Sequence, residues 1–304
     1  MLRLAHLSDP HLGPLPTPGW RDLMGKRLTG FLSWRLKRAK IHDPRILELV
    51  VHDIRQHAPD HVALTGDLIN IALAAEYQNA RRWIGGFGSP DWISLVPGNH
   101  DAYVAMDWPG AFALWSEYFT GEARLSPDPG QTLASRFPYV RFRRNVAIIG
   151  ASTAVPTWPG MATGVLGEPQ LARLEVALRQ ARERGFYRVL LIHHPPLAGL
   201  APPRKSLLDG ADLVRVLERE GAELVLYGHN HRHQQTSLAG RHGTVHLIGV
   251  PSASQNLYND ATAAWNLFFI RREDKAWIAD RTTRSFDPQA NCMVTLSTQT
   301  LTHT

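Results

Sequence analysis

Five times along this chain a short apolar run stops at residues whose side chains carry oxygen or imidazole nitrogen. Residues 2–7 run into Asp9-Pro10-His11, and residues 61–64 into Thr65-Gly66-Asp67. Residues 92–96 run through Pro97 into Gly98-Asn99-His100-Asp101. Residues 188–192 are followed by His193-His194-Pro195-Pro196, and 223–227 by Gly228-His229-Asn230-His231. Short apolar runs bounded by turn residues read as buried strands. In open α/β sheets the groups that meet ligands gather at the carboxyl ends of such strands. Five clusters far apart in sequence are therefore expected to converge, with Gly98 freeing the backbone for a sharp turn.

Helical periodicity fills the intervals. Residues 44–57 place Ile46, Leu47, Val50, Val51 and Ile54 on one side, with Asp43 as cap before Pro44 at the first turn. Residues 72–84, 168–185 (opened by Gly167) and 207–221 also read as helices. Alternating strands and helices argue for βαβ units and a largely parallel sheet. Residues 139–150 read as a strand pair turned at Arg143-Arg144-Asn145, and residues 245–250 and 264–271 as late, antiparallel strands. Residues 102–138, rich in Trp, Pro and Gly, give no clear element. One main domain is expected over 1–285, followed by a polar, loosely held tail over 286–304.

Residues 14–40 interrupt this scheme. Trp20, Met24, Leu28 and Phe31 recur at helical spacing among Arg21, Lys26, Arg27, Arg35, Lys37, Arg38 and Lys40, while Gly25 and Gly30 weaken a single long helix. The segment reads as a helical insertion at the rim of the site. It could form a plain surface hairpin, a lid, or a patch in which Trp and Leu meet a membrane surface and the basic residues its anionic headgroups.

At 304 residues, 44% apolar and 20% charged, the chain has the make-up of a soluble globular protein with an ample core. A single cysteine, Cys292, excludes an internal disulfide framework and any multi-cysteine zinc site; it is expected to be a small buried or tail residue. No apolar run is long enough to span a bilayer, and the N-terminus lacks a leader's apolar core, so a cytoplasmic protein is expected, with peripheral membrane contact through residues 20–40 as an option. The net charge of +6 favours an anionic partner. The basic residues cluster in the insertion instead of tracking a groove, which argues against nucleic acid.

Carboxylate, imidazole and carboxamide side chains together suit divalent ions of borderline hardness such as manganese, iron or zinc. There are enough for two ions, and a carboxylate such as Asp67 can bridge a pair. Metals about 3.5–4 Å apart serve in-line displacement at phosphorus.

Asp9-x-His11, Gly66-Asp67, Gly98-Asn99-His100-Asp101, His193 before Pro195, and Gly228-His229-x-His231 resemble, in order, the motifs of the calcineurin-like metallophosphoesterases over residues 1 to about 250. The style is closest to the cyclic-nucleotide and glycerophosphodiester phosphodiesterases. The resemblance implies an α/β fold, a four-layer αββα sandwich of two mixed sheets flanked by helices. It implies that Asp9, His11, Asp67 and His231 hold one divalent ion, and that Asp67, Asn99, His193 and His229 hold the second. A hydroxide bridging the ions would attack phosphorus in line. Asn99 and His100 would face the substrate, His100 steadying or protonating the leaving oxygen, with Asp101 orienting its ring. His194 is left as a substrate-side or packing residue. Asn70 stands where many members carry an acidic residue, a departure expected to tune the surroundings of the ions.

The other histidines are expected in ordinary roles, although His42 and His233 could line the mouth. A phosphodiesterase is the leading expectation. The alternatives are a UDP-diacylglucosamine-type pyrophosphatase acting on a lipid-linked substrate at the membrane, favoured by the insertion, and a catalytically silent metal-binding scaffold.

Overall fold

The computed structural model describes residues 1–122, 133–258, 260–274 and 276–303. The first three strands, β1 (Leu2–Leu7), β2 (His61–Leu64) and β3 (Ile93–Leu95), run parallel. Between them lie α3 (Pro44–Gln56) and α4 (Ala74–Phe87). Three long antiparallel strands complete this first sheet: β10 (Ala264–Glu273), β11 (Ala276–Asp287) and β12 (Cys292–Thr302), in the order β12-β11-β10-β1-β2-β3.

The second sheet has the order β4-β5-β6-β7-β9-β8. It contains β4 (Tyr139–Arg143), β5 (Val146–Gly150), β6 (Tyr187–Leu191), β7 (Leu224–Tyr227), β8 (Gln234–Gly240) and β9 (Gly243–Gly249). The helices α5 (Glu168–Glu183) and α6 (Gly210–Glu220) link its parallel strands. Both sheets are mixed, as the αββα resemblance implied; the late strands are antiparallel except that β9 also pairs parallel with β7.

The layering follows from side chains alternating across a strand. Val146, Ile148, Val189, Leu191, Leu224 and Leu226 share a core with Leu4, Leu7, Val62, Phe268 and the inner faces of α3 and α4. Their neighbours Ala147, Ile149, Leu190 and Val225 face the other way, onto Leu174, Leu178, Leu213 and Leu217 of α5 and α6. Asp43 caps α3 by accepting the Arg45 N–H, as expected. In the same helix Asp53 is buried, accepting from the indole Nε1 of Trp265 at 2.9 Å and pairing with Arg284 at 2.8 Å. That carboxylate fixes α3 to β10 and β11.

Three expectations change. The segment from 286 onward is not a loose tail: β12 forms the outer edge of the first sheet, paired along its length with β11. Cys292 accordingly lies exposed at an edge-strand end. Residues 108–110 and 112–119 form 3₁₀ turns, with Trp115, Tyr118 and Phe119 buried against α4 and β3; of the unclear region, 123–132 fall outside the described residues. The insertion is helical only from Lys26, as α1 (Lys26–Ser33), a π-helical turn (Trp34–Arg38) and the short α2 (Ala39–Ile41). Among the described residues no helix is long and apolar enough to cross a membrane.

Candidate metal centre

The ends of β1, β2 and β3 in one sheet meet the ends of β6 and β7 in the other, and all seven predicted ligands converge there. Two glycines permit the approach. A Cβ on Gly98 would collide with the Asp67 carboxylate, and one on Gly228 with Ser8 and the carboxylate of Asp9. Gly98 has no positive φ, so it serves close approach and not the sharp turn expected of it. By contrast Asp9, His11, Asp67, His229 and His231 all have positive φ, a sparsely populated region for residues with a side chain. Such conformations persist where surrounding structure imposes them, commonly at functional sites.

Asp9 lies with Oδ1 3.1 Å from His231 Nε2 and 3.9 Å from His11 Nε2. Asp67 Oδ2 lies 3.8 Å from His11 Nε2 and 3.3 Å from His193 Nε2. His193 Nε2 is also 3.2 Å from Asn99 Oδ1 and 3.3 Å from His229 Nδ1. Asp67 is thus the carboxylate between two groups of imidazoles, the position of a bridging ligand. Imidazole nitrogens of His11 and His231 face each other at 3.2 Å. Two lone pairs at that distance require a cation or a shared proton between them.

The outward nitrogens fit the same demand. His11 Nδ1 donates to the Ile69 carbonyl, His193 Nδ1 to that of Thr65 at 2.7 Å, and His229 Nε2 to that of Lys205 at 2.9 Å. Each bond fixes the tautomer and aims the other nitrogen inward, the habit of metal-ligating histidine. Histidine partners hold the Asp67 carboxyl well below its ordinary range against the cost of burial, and Asp67 raises His193 to about 9 against the same cost. The residues therefore fit a pair of divalent ions: two carboxylates, four inward imidazoles and one amide oxygen.

One role differs from that implied by the resemblance, and one left open takes its packing alternative. Asp101 does not touch the His100 ring. Its carboxylate accepts the backbone N–H groups of Asp67 (2.8 Å), Leu68 (2.9 Å), Ile69 (3.2 Å) and Gly98 (2.8 Å), holding the β2 and β3 loops together. Burial and the neighbouring Asp67 push its carboxyl up to about 8. The partner that orients His100 is the Asn70 backbone carbonyl, 2.6 Å from Nδ1, in a loop whose N–H groups at Asn70, Ile71 and Leu73 bind Glu76. His194 is not free for substrate. Its Nδ1 lies 2.7 Å from Thr153 Oγ1 and its Nε2 3.1 Å from the Ala162 carbonyl, so it packs behind His229.

The centre opens into a cavity lined by His11, Asp67, Asn99, His100, His229 and His231, and also by Arg38, His42, Lys205, Asn230 and Tyr258. His42 is at the mouth, as was allowed; His233 is not in the lining. Arg38 and Lys205 were not singled out from sequence, since nothing local separates them from neighbouring basic residues. Arg38 reaches the centre because Arg27 binds the Ile71 and Ala72 carbonyls and Gly30 packs against Tyr103, docking the insertion. Its Nη1 is 3.0 Å from His100 Nδ1, and its Nε is buried without a partner.

The sequence profile of the calcineurin-like phosphoesterases matches residues 2–233. The chain belongs to that family. It is a hydrolase of phosphoester bonds, and the paired divalent ions of the family suit the ligand set just described. The phosphoesterase is 27% identical over 289 residues to "Glycerophosphodiester phosphodiesterase GpdQ" of Enterobacter lignolyticus, a match covering 91% of this chain and 89% of that one. It is 30% identical over 200 residues to "3',5'-cyclic adenosine monophosphate phosphodiesterase CpdA" of Escherichia coli K12, covering 65% and 62%. Among solved structures, a dimetal phosphatase from Danio rerio has the same fold at TM-score 0.63 and 13% identity, with 100% of this chain and 99% of that one covered.

Proposed function

We propose that this phosphoesterase is a phosphodiesterase, with Asp9, His11, Asp67 and His231 holding one divalent ion and Asp67, Asn99, His193 and His229 the other. What carries the reading is the placement of Asp67 between the two groups of inward-facing imidazole nitrogens. The preference for diesters is supported by relatives named as phosphodiesterases across most of the chain. Bound there, divalent ions supply the charge that acidifies a water and neutralises phosphoryl oxygens.

The remaining steps belong to the chain's own groups. Arg38 and Lys205 flank the cavity and offer positive charge to the phosphoryl oxygens that face away from the ligands. Burial and Arg38 hold His100 down to about 3, so it is neutral before substrate arrives. The Asn70 carbonyl accepts from Nδ1–H, which leaves Nε2 unprotonated at the cavity wall, 3.3 Å from Arg38 Nη1. An anionic ester seated against both Arg38 and His100 offsets the guanidinium charge and raises the affinity of Nε2 for a proton, which it takes from solvent and passes to the leaving oxygen.

A second reading has its own observation. Trp20, Met24, Leu28, Leu32 and Leu36, four residues apart along the insertion, are 75%, 70%, 46%, 48% and 70% exposed. These exposed apolar residues, with Arg21, Arg35, Lys37 and Lys40 among them, suit an anionic membrane surface and a lipid-linked pyrophosphate. The deciding assay uses the manganese-loaded protein on glycerophosphodiesters, cyclic nucleotides, monoesters and a lipid-linked pyrophosphate, with and without anionic vesicles. A higher kcat/KM for the diesters is expected. Turnover confined to the lipid-linked substrate, and only with vesicles, would replace the first reading by the second.

A further inference from the structure

His42 ends the insertion and belongs to neither ligand set above. Its ring centroid lies 4.5 Å from that of His11 and 5.6 Å from that of His231. One nitrogen each of His11, His42 and His231 lie within 4.8 Å of one another. The ring is held, as those of His11 and His193 are, through Nδ1, here 2.8 Å from Ser254 Oγ and 3.4 Å from Ser252 Oγ, which leaves Nε2 for the cluster. Its backbone position is built in advance. The Asp43 N–H donates to the Ser254 carbonyl and the Asn256 N–H to the Ile41 carbonyl, each at 2.8 Å. Ser252 Oγ in turn donates to the Asp9 carbonyl at 2.6 Å, so the same loop holds His42 and a predicted ligand.

We infer that His42 is a further ligand of the ion held by Asp9, His11, Asp67 and His231, supplied by the insertion. The inference rests on the proposed two-ion centre. A third neutral imidazole moves that position toward nitrogen-preferring ions such as iron, cobalt or zinc and away from magnesium. It also couples loading to structure: the ion tethers the end of the segment that carries Arg38 four residues earlier.

The test is on ion binding, not turnover. The full chain and its His42→Ala variant are stripped by chelation and titrated with cobalt(II), followed by calorimetry and by visible absorption. Wild type is expected to take up two ions. In His42→Ala one of the two should bind 10- to 100-fold more weakly, the range for lost ligand support, with a changed cobalt absorption band and faster trypsin cleavage within residues 20–40. A variant matching wild type in both affinity and spectrum overturns the inference and leaves the two-ion centre standing. Wild type binding fewer than two ions overturns the centre, and this inference with it. Should His42→Ala not fold, His42→Gln is read by the same affinity and spectrum.

Discussion

The His100 imidazole keeps Nδ1 on the Asn70 carbonyl and lies against the Arg38 guanidinium, so its value depends on what leaves the phosphorus. His100→Ala should keep both ions and lose about 10²–10⁴ in rate on an alkyl diester. It should lose far less on bis(p-nitrophenyl) phosphate, whose leaving group needs no proton; steady-state rates with metal analysis check both. Asp67→Ala should lose ion retention and turnover together, and an ion-loaded variant at a tenth of wild-type rate would contradict the bridge. The convergence of the seven proposed ligands was legible because each sits at a strand tip in a short pattern of its own. Asp101 was placed but given the wrong partner, and the choice for His194 stayed open, since what they bind is brought near only by folding. Arg38 and Lys205 were invisible for the same reason: a basic residue declares nothing until a docked segment aims it.

At the scale of elements, α3 was read correctly from its 3.6-residue period and its Asp43-Pro44 start, but its anchorage was not. Asp53→Ala leaves the half-buried Arg284 with only Thr295 and the Met293 carbonyl and frees the Trp265 indole; a loss of about 1–3 kcal/mol is expected, measured by urea unfolding. β12 was misread because an edge strand exposed over most of its length can be Thr-, Ser- and Gln-rich, and such a run looks like a tail. The insertion was recognised by its mixture of apolar and basic residues, though helix starts only at Lys26, past the Gly25 interruption. On the membrane reading, replacing Trp20, Met24 and Leu36 by Ser should abolish binding to anionic vesicles in a sedimentation assay while sparing hydrolysis of soluble diesters. Loss of both would make these residues structural.

For the whole molecule, acid is the telling stress. Burial holds His6 down to about 3, below the 6.5 of an unfolded chain. A depressed folded value means stability present above 6.5 and lost as pH falls, because the unfolded chain takes up the proton first. Between pH 7 and 5 this one residue should cost about 2 kcal/mol, so His6→Leu should flatten the acid limb of the unfolding midpoint by about that amount. The two-sheet architecture itself was implied by resemblance, whereas alternation alone suggested one largely parallel sheet; nothing local tells a strand which sheet it joins.

Asp9, Asp67 and Asn99 leave one sheet, while His193, His229 and His231 leave the other, and the glycines at the seam have no side chain to spare. Reactivity is thus the property of a junction, owned by neither slab. A slip of one slab past its neighbour, far too small to melt either, would be enough to silence the enzyme.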